Sequence, residues 1–597
     1  MSEKGDFTAQ LRLLWISALA VVVGAACSVV AFALLWLIAC FTNLFWFGQF
    51  SGTMRSPADS MLGLIGIFVP VIGGLIIGLM ARYGSDRIRG HGIPEAIEAI
   101  LIGRSRMSPR VAVLKPLSSA ISIGSGGPFG AEGPIIMTGG AFGSLIAQWF
   151  HLTAAERKTL LVAGAAGGMA ATFGTPAAAV LLAVELLLFE WKPRSLIPVA
   201  LASVVAVSLR PYLLGAGPLF PVPLHDRLGP QALISSAVAG VLAGVLALAL
   251  TAAVYAAEDM FQRLPIHWMW WPAIGGLVVG IGGYFQPRAL GVGYDLIEEL
   301  IQGRCLFAVL LPLMFVKALI WSLSLGSGTS GGVLAPLLIM GGSIGALASG
   351  FLPGGDERLW PLVGMAAVLG GTMRSPLTGA MFALELTHDI NALPALLLSS
   401  VTAYGFTVLV MKRSILTEKV ARRGYHVSRE YSVDPLELTT VRDVMASPVV
   451  TVPATLPVKE LVATYFLSGT RKHQGYPVVD AKGNLVGVVT RSDILEKQTD
   501  GIATTGELVR RSAVTAVALE SCRSAAERMA AAGVGRLVVV SSDDSRRLVG
   551  IVTRSDLLKP RGRAVEEESK RERFFRFRKR NKSAAGSGGL VRVSNRS

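Results

Sequence analysis

Long runs of apolar residues dominate the first two thirds of the chain, at residues 15–45, 61–80, 160–189, 233–257 and 393–411. Each is near or beyond the ~20 residues a helix needs to cross a bilayer. One such run would be an anchor; this many predict a helical bundle. Between them the apolar pattern is cut by glycine and proline. In GSGGPFGAEGPIIMTGG, residues 124–140, a single carboxylate, Glu132, stands between glycines in backbone that cannot be regular helix. From about residue 431 the pattern turns to short alternating strands and polar helices, so a domain boundary falls near residue 425.

The apolar part repeats itself. Lys115 and Lys317 are 202 residues apart, and the same spacing separates Gly124 from Gly326, Pro134 from Pro336, Gly139 from Gly341 and Gly143 from Gly345. It becomes 200 for Gly164 and Gly364, Pro176 and Pro376, and Glu185 and Glu385. Duplicated halves with breaks at corresponding places point to a transport site near the bilayer midplane.

Within lipid, a broken helix is tolerated only where it is buried in protein or lines water. GAEGP (130–134), GGVLAP (331–336) and GHGIP (90–94) therefore predict loops that feed short helices, with Pro134, Pro336 and Pro94 in the first turn. Free N–H groups at such starts offer partial positive charge, which suits an anion. One full charge at 4 Å contributes about 4 kcal/mol at an effective dielectric of 20, the whole binding energy of a millimolar site. A conducting site must release its ion, so backbone dipoles serve better than a lysine. Glu132 then reads as a tethered competitor: ionised, it fills the anion's place; protonated or displaced, it swings aside.

Composition and charge narrow this further. The 597 residues are 52% hydrophobic and 16% charged, against roughly 25% charged in soluble proteins. The net charge of +16 gathers at 82–89, 104–110, 192–194 and 412–423 and again after residue 561. Such flanks face the cytoplasm, which puts the N-terminal segment 1–10 and the C-terminal third on that side. Charge that flanks apolar runs, without forming one stripe, argues for a lipid bilayer and against a nucleic-acid partner. The four cysteines show no metal spacing. The seven histidines form no H-E-x-x-H and there is no phosphate-binding loop, which leaves no catalytic or metal site and no required cofactor.

These motifs resemble those of the CLC family of chloride channels and chloride/proton antiporters, over about residues 11–425. GHGIP is similar to the family's GSGIP, GAEGP to its G(K/R)EGP, GVLAP to its GxFxP, and SILTEKVARRG (414–424) to the start of its last membrane helix. The resemblance implies an α-helical polytopic membrane protein with a CLC-type inverted repeat of interrupted half-helices. It also implies a homodimer with one pore per subunit, Glu132 as the gating residue, and an anion site lined by backbone N–H groups of Val333 and Leu334. Gly92 and Ile93 would join that site, and Lys115 would match a buried lysine of the fold. Three positions depart from the family pattern. His91 stands where a serine hydroxyl is usual, Leu416 where a tyrosine hydroxyl is usual, and Leu186 where antiporters carry an internal glutamate. A hydrocarbon at Leu186 cannot carry protons, so the expectation is a voltage-gated-type channel passing chloride passively. The alternatives are a chloride/proton antiporter and a membrane-anchored nucleotide sensor.

The second part also repeats: GNLVGVVTRSDIL (483–495) recurs as SRRLVGIVTRSDLL (545–558). Both resemble the signature ends of cystathionine-β-synthase (CBS) modules, implying an α/β cytoplasmic pair at 441–496 and 506–560 after a linker, 426–440. By that resemblance Thr490, Asp493, Thr553 and Asp556 are candidates to hold an adenine nucleotide (ATP, ADP or AMP), the acid accepting both ribose hydroxyls. Residues 561–597 read as a basic, disordered and solvated tail; contact of its Phe574, Phe575 and Phe577 with anionic lipid is the alternative. The expected location is a bacterial inner (plasma) membrane, with the CBS pair in the cytoplasm.

Overall fold

The computed structural model describes residues 11–423 except 102 and 104, then 434–467, 473–495, 503–509, 512–544 and 546–569. The chain divides into two compact units, Met1–Arg429 and Glu430–Ser597.

The first unit is helical. Its first half holds α1 (Arg12–Phe47), α2 (Phe68–Tyr83), α3 (Ile93–Leu101), α4 (Pro109–Gly124), α5 (Glu132–Gln148), α6 (Ala154–Phe173), α7 (Pro176–Leu182) and α8 (Pro193–Leu213). The second half follows as α9 (Pro230–Gln262), α10 (Trp271–Phe285), α11 (Tyr294–Ile301), α12 (Phe307–Gly326), α13 (Leu334–Ala348), α14 (Leu359–Met373), α15 (Pro376–Thr387) and α16 (Leu393–Val410), with α17 (Ile415–Arg422) last. Among the described residues six helices are long and apolar enough to cross a membrane, α1 and α9 the longest. The short α3 and α11, with 9 and 8 residues, rise only about 12–14 Å at 1.5 Å per residue. That is less than half of a ~30 Å hydrocarbon core.

Local chemistry sets the ends. Thr153 and Glu156 form a reciprocal capping box that starts α6. The apolar run at 160–189, continuous in sequence, does not form one rod: Gly174 closes α6 in the left-handed region at φ 72°, and Pro176 opens α7 where its missing N–H costs nothing.

The halves meet through reciprocal contacts, which is what a two-fold relation between them requires. The N–H groups of Ala177 and Ala178, at the start of α7, donate to Glu385 of α15 (2.9 and 2.8 Å). In return those of Leu377 and Thr378, at the start of α15, donate to Glu185 (3.3 and 2.9 Å). Lys115 Nζ donates to the carbonyls of Ile88 and Gly90, each at 2.8 Å. Lys317 Nζ does the same to Ala289 and Gly291, each at 3.0 Å. Where α2 crosses α10, a Cβ on Gly74 would stand 2.3 Å from the Pro272 carbonyl, and one on Gly276 would stand 2.3 Å from that of Pro70. Only glycine permits that approach.

The second unit holds two three-stranded sheets. In the first, β1 (Val452–Pro453) runs parallel to β2 (Gly475–Val479), which pairs antiparallel with β3 (Leu485–Thr490). In the second, β4 (Thr515–Val517), β5 (Arg536–Val540) and β6 (Leu548–Thr553) repeat the plan. The cores interleave: Val441 and Val444 are buried with the second sheet, and Leu508 with the first. The helix after β6 runs from Arg554 to Ser569, so residues 561–569, expected in the disordered tail, extend it instead. Their Ala, Arg and Glu are good helix formers. Residues 1–10 and 570–597, with Phe574, Phe575 and Phe577, lie outside the described residues, as does most of the expected linker.

Replacing Glu185 or Glu385 by alanine removes the side-chain acceptor at a helix start. Each change is expected to cost about 0.5–2 kcal/mol, read as a lowered melting temperature of the detergent-solubilised protein. An unchanged melt in both variants would contradict the capping role.

Candidate anion pathway

Three of the chain breaks meet at one point. Gly90 bridges Ser330, and Gly130 bridges Gly332. The N–H of Gly332 donates to the Gly130 carbonyl at 2.9 Å, and that of Gly90 to the Thr329 carbonyl at 3.1 Å. These bridges bring the starts of α3, α5 and α13 together, so N–H groups without intrahelical partners and the positive ends of three helix dipoles share one region. Backbone packs on backbone here: a Cβ on Gly133 would stand 1.9 Å from the His91 carbonyl.

Glu132 is the first residue of α5 and is fully buried. Its carboxyl does not cap its own helix in the usual way. It folds back over Gly130 and reaches Gly332, where a Cβ would stand 2.8 Å from Oε2. Its own N–H and that of Ala335, in the first turn of α13, face it, yet neither carboxyl oxygen meets hydrogen-bond geometry with any described group. The carboxyl thus lies across the start of the opposite half's helix, held loosely.

Lys115, fully buried, also donates to Ser330 Oγ at 3.0 Å. Ser118 donates to the same oxygen at 3.1 Å, and Ser119 shares a hydrogen bond with it at 2.9 Å. The ammonium therefore ties the stretch before α3 to the stretch before α13. It positions the breaks; its three donors are spent on protein oxygens.

His91 is buried, with Nδ1 lacking a partner among the described residues. The charged groups that face it are Lys419, Glu95, Lys115 and Arg423. Glu95 accepts the Gly92 N–H at 3.0 Å and pairs with Lys419 at 3.6 Å and Arg423 at 3.1 Å. Gly92 (φ 90°) and Ile93 complete the turn into α3. Leu416 is the second residue of α17, buried, after a Ser414–Thr417 capping box. Val333 and Leu334, both fully buried, form the cap and first residue of α13. Leu186 is fully buried in the π turn Ala183–Leu188, and its neighbour Glu185 is committed to the start of α15.

One break escaped the motif reading. Gly291 and Gly293 stand 201 residues after Gly90 and Gly92, and both have positive φ, 63° and 76°. They lead into α11 as GHGIP leads into α3, which makes Tyr294 the counterpart of Ile93. The spacing was available in the sequence; the missing proline hid it.

In the second unit, Asp493 Oδ2 accepts from Thr490 Oγ1 and N (2.6 and 2.8 Å), and Asp556 Oδ2 from Thr553 Oγ1 and N (2.7 and 2.9 Å). The structure thus pairs each candidate acid with its own threonine at a strand-to-helix turn. Asp556 differs in that Lys559 donates to its Oδ1 at 2.7 Å. Burial raises the affinity of Asp556 for a proton, but the Lys559 and Thr553 bonds outweigh it and hold the carboxyl below the usual carboxylate range. It stays ionised and paired at neutral pH, and this contribution to stability is lost only as acid passes through that depressed value.

A membrane bundle of duplicated halves, whose half-helices point their starts at one buried carboxylate, is the architecture of an anion transporter. Residues 73–408 match the family described as "Voltage gated chloride channel", and residues 441–500 and 506–561 match the CBS domain. The chain belongs to the CLC family and carries a C-terminal CBS pair. The Voltage-gated ClC-type chloride channel ClcB of Salmonella typhimurium is 30% identical over 387 residues, which is 62% of this chain and 90% of that protein. Among solved structures, a slow cyanobacterial Cl−/H+ antiporter aligns at TM-score 0.61 and 21% identity, over 70% of this chain and 99% of that one. A CLC-type fluoride/proton antiporter aligns at TM-score 0.57 and 21% identity, over 67% and 96%. These two likenesses carry the fold alone.

Lys115→Met keeps the chain length but strands two buried carbonyls and a serine network. At about 1–3 kcal/mol per unsatisfied group, its loss of thermal stability is expected to exceed that of Lys317→Met, where two carbonyls are stranded. Equal melts would contradict the bridging role of Lys115.

Proposed function

We propose that the chain conducts chloride passively through the point where α3, α5 and α13 begin, with Glu132 as the gate. The observation that carries this is the Glu132 carboxyl lying over the start of α13, where an anion would meet the N–H groups of Val333 and Leu334. Ile93, Gly92 and His91 line the same point, and the His91 tautomer with its proton on Nδ1 has a donor to offer in place of the family's serine. Leu416 supplies hydrocarbon where the family has a hydroxyl. Leu186 supports the passive reading, because no acid stands there to relay protons. Two copies are expected to pair with one pathway each in a bacterial plasma membrane, and the basic flanks favour a cytoplasmic CBS pair.

Exchange of chloride for protons is the second reading, favoured by Glu132 itself and by the two antiporters of like fold. Reconstitution in liposomes separates the two. Glu132→Ala is expected to raise anion efflux tenfold or more, since removing a competitor worth about 1.4 kcal/mol does so, and a chloride gradient is expected to drive no proton uptake. Gradient-driven proton uptake by the wild type would establish exchange. Absence of anion flux in both forms would overturn either reading and favour a membrane-anchored nucleotide sensor.

At the CBS pair, Asp493 is the better ribose acceptor, since no cation pairs with it among the described residues, whereas Lys559 engages Asp556. ATP, ADP or AMP at millimolar concentration is expected to raise the melting temperature of the full chain. Asp493→Ala is expected to abolish that rise and Asp556→Ala to leave most of it. No rise with any of the three indicates an empty cleft.

A further inference from the structure

The linker that joins the two halves, residues 214–229 between α8 and α9, is fastened at one buried side chain, His225. Its Nδ1 bonds to Asp389 Oδ2, and its Nε2 stands 3.0 Å from Asp356 Oδ1. The backbone is held as well: the His225 N–H donates to Asp389 Oδ1 at 3.4 Å, and Asn391 Nδ2 donates to the His225 carbonyl at 2.6 Å. One ring thus ties the linker to the turn between α13 and α14, which carries Asp356, and to the turn between α15 and α16, which carries Asp389.

A neutral imidazole has one N–H and one lone pair, so it donates to only one of two carboxylates; the imidazolium donates to both. Asp389 is fully buried, whereas Asp356 keeps 41% of its side chain exposed and also accepts from Arg358 at 2.6 Å. With His225 charged, two acids and two cations balance. With it neutral, a lone pair faces a carboxylate, and the half-exposed contact to Asp356 is the one that water can replace. The other ionisable groups on these stretches are Asp226 and Arg227 on the linker, Glu357 beside Asp356 and His388 beside Asp389. Arg210 of α8 holds the linker's start through the carbonyls of Gly215 and Gly217, and the first turn of α9 carries no charge.

The cluster lies away from the basic stretches. The helix α8 starts at the basic residues 192–194 and α16 leads into those at 412–423, and both lie in segments long and apolar enough to cross a membrane. The positive-inside rule therefore puts the linker and the start of α16 outside. There the linker covers the start of α11: the Phe220 N–H donates to the Leu386 carbonyl at 3.0 Å, and the Phe220 ring lies 6.2 Å from that of Tyr294. In turn α11 packs on α13, where a Cβ on Gly293 would stand 2.8 Å from Ile339 Cδ1.

We propose that His225 is a proton sensor on the outer face. As imidazolium it latches the linker over α11 and restricts anion flow; as neutral imidazole it releases the Asp356 turn and lets the linker lift. Acid therefore restricts flow here, opposite in sign to protonation of Glu132, which frees the gate. The effect on flow rests on the reading of the starts of α3, α5 and α13 as the anion path.

The test is chloride efflux from liposomes carrying Glu132→Ala, whose gate cannot titrate, with equal pH on both sides over the range of about pH 5 to 8 where histidine changes charge. Efflux is expected to rise about tenfold or more from the acid to the alkaline end, the shift that one hydrogen bond to a charged group makes in an equilibrium. Adding His225→Gln, which keeps a donor but no charge, is expected to give a flat profile at the alkaline level. Adding Asp356→Asn, whose amide can face either form of the ring, is expected to give a flat profile at the acid level. Efflux independent of pH before either change, or a slope that survives both, would overturn the proposal. A second readout needs no transport: at the acid end, amide hydrogen exchange of residues 214–229 is expected to be faster in His225→Gln than in the wild type. Equal protection there would overturn the latch itself. Absence of efflux from Glu132→Ala is the separate result that overturns the path reading and with it the effect on flow.

Discussion

The constraint on which everything else depends is that backbone N–H groups cannot be left bare inside a membrane. A helix that begins there exposes its first N–H groups, and in hydrocarbon each one costs several kcal/mol. The protein answers by starting several helices at one place, so that their ends share an occupant. Glu132 is the occupant supplied by the chain itself, and an anion is the occupant that chemistry suggests from outside. The glycines around Gly90, Gly130 and Gly332 follow from the same demand, since the breaks converge only where backbone touches backbone.

Holding such a point open requires stiffness that hydrophobic burial does not provide in lipid, where tails are as apolar as side chains. The stiffness here is polar and reciprocal. Lys115 fastens the stretch before α3 to the stretch before α13, Lys317 repeats half of that arrangement on the other side, and Glu185 and Glu385 each cap a helix in the opposite half. The lysine–carbonyl contacts and the glutamate caps each appear twice because the halves are related by a two-fold, whereas the Ser330 bond belongs to Lys115. A buried ammonium in this setting works through the oxygens it binds, not as a lure for the anion. A free lysine at the centre would hold an anion too tightly for transport.

His91, Leu416 and Leu186, the three departures that the family resemblance marks, are all buried. In the second unit both threonine–aspartate turns close in the same way, but Lys559 makes the second unlike the first.

By itself the amino-acid sequence determined the duplicated halves, the breaks at GHGIP, GAEGP and GGVLAP, the pairing of Lys115 with Lys317 in the repeat, and the pair of repeated modules. These are local patterns or fixed spacings that survive without coordinates. The division of residues 160–189 into two helices was also legible, in Gly174 and Pro176, but was hidden by an apolar run too long to look interrupted. Only the tertiary structure decided that the Glu132 carboxyl reaches the start of α13, that Glu185 and Glu385 serve each other's halves, and that the module cores interleave. Those facts depend on which residues from distant parts of the chain share a few ångströms, and a one-dimensional pattern records spacing along the backbone, not approach across it.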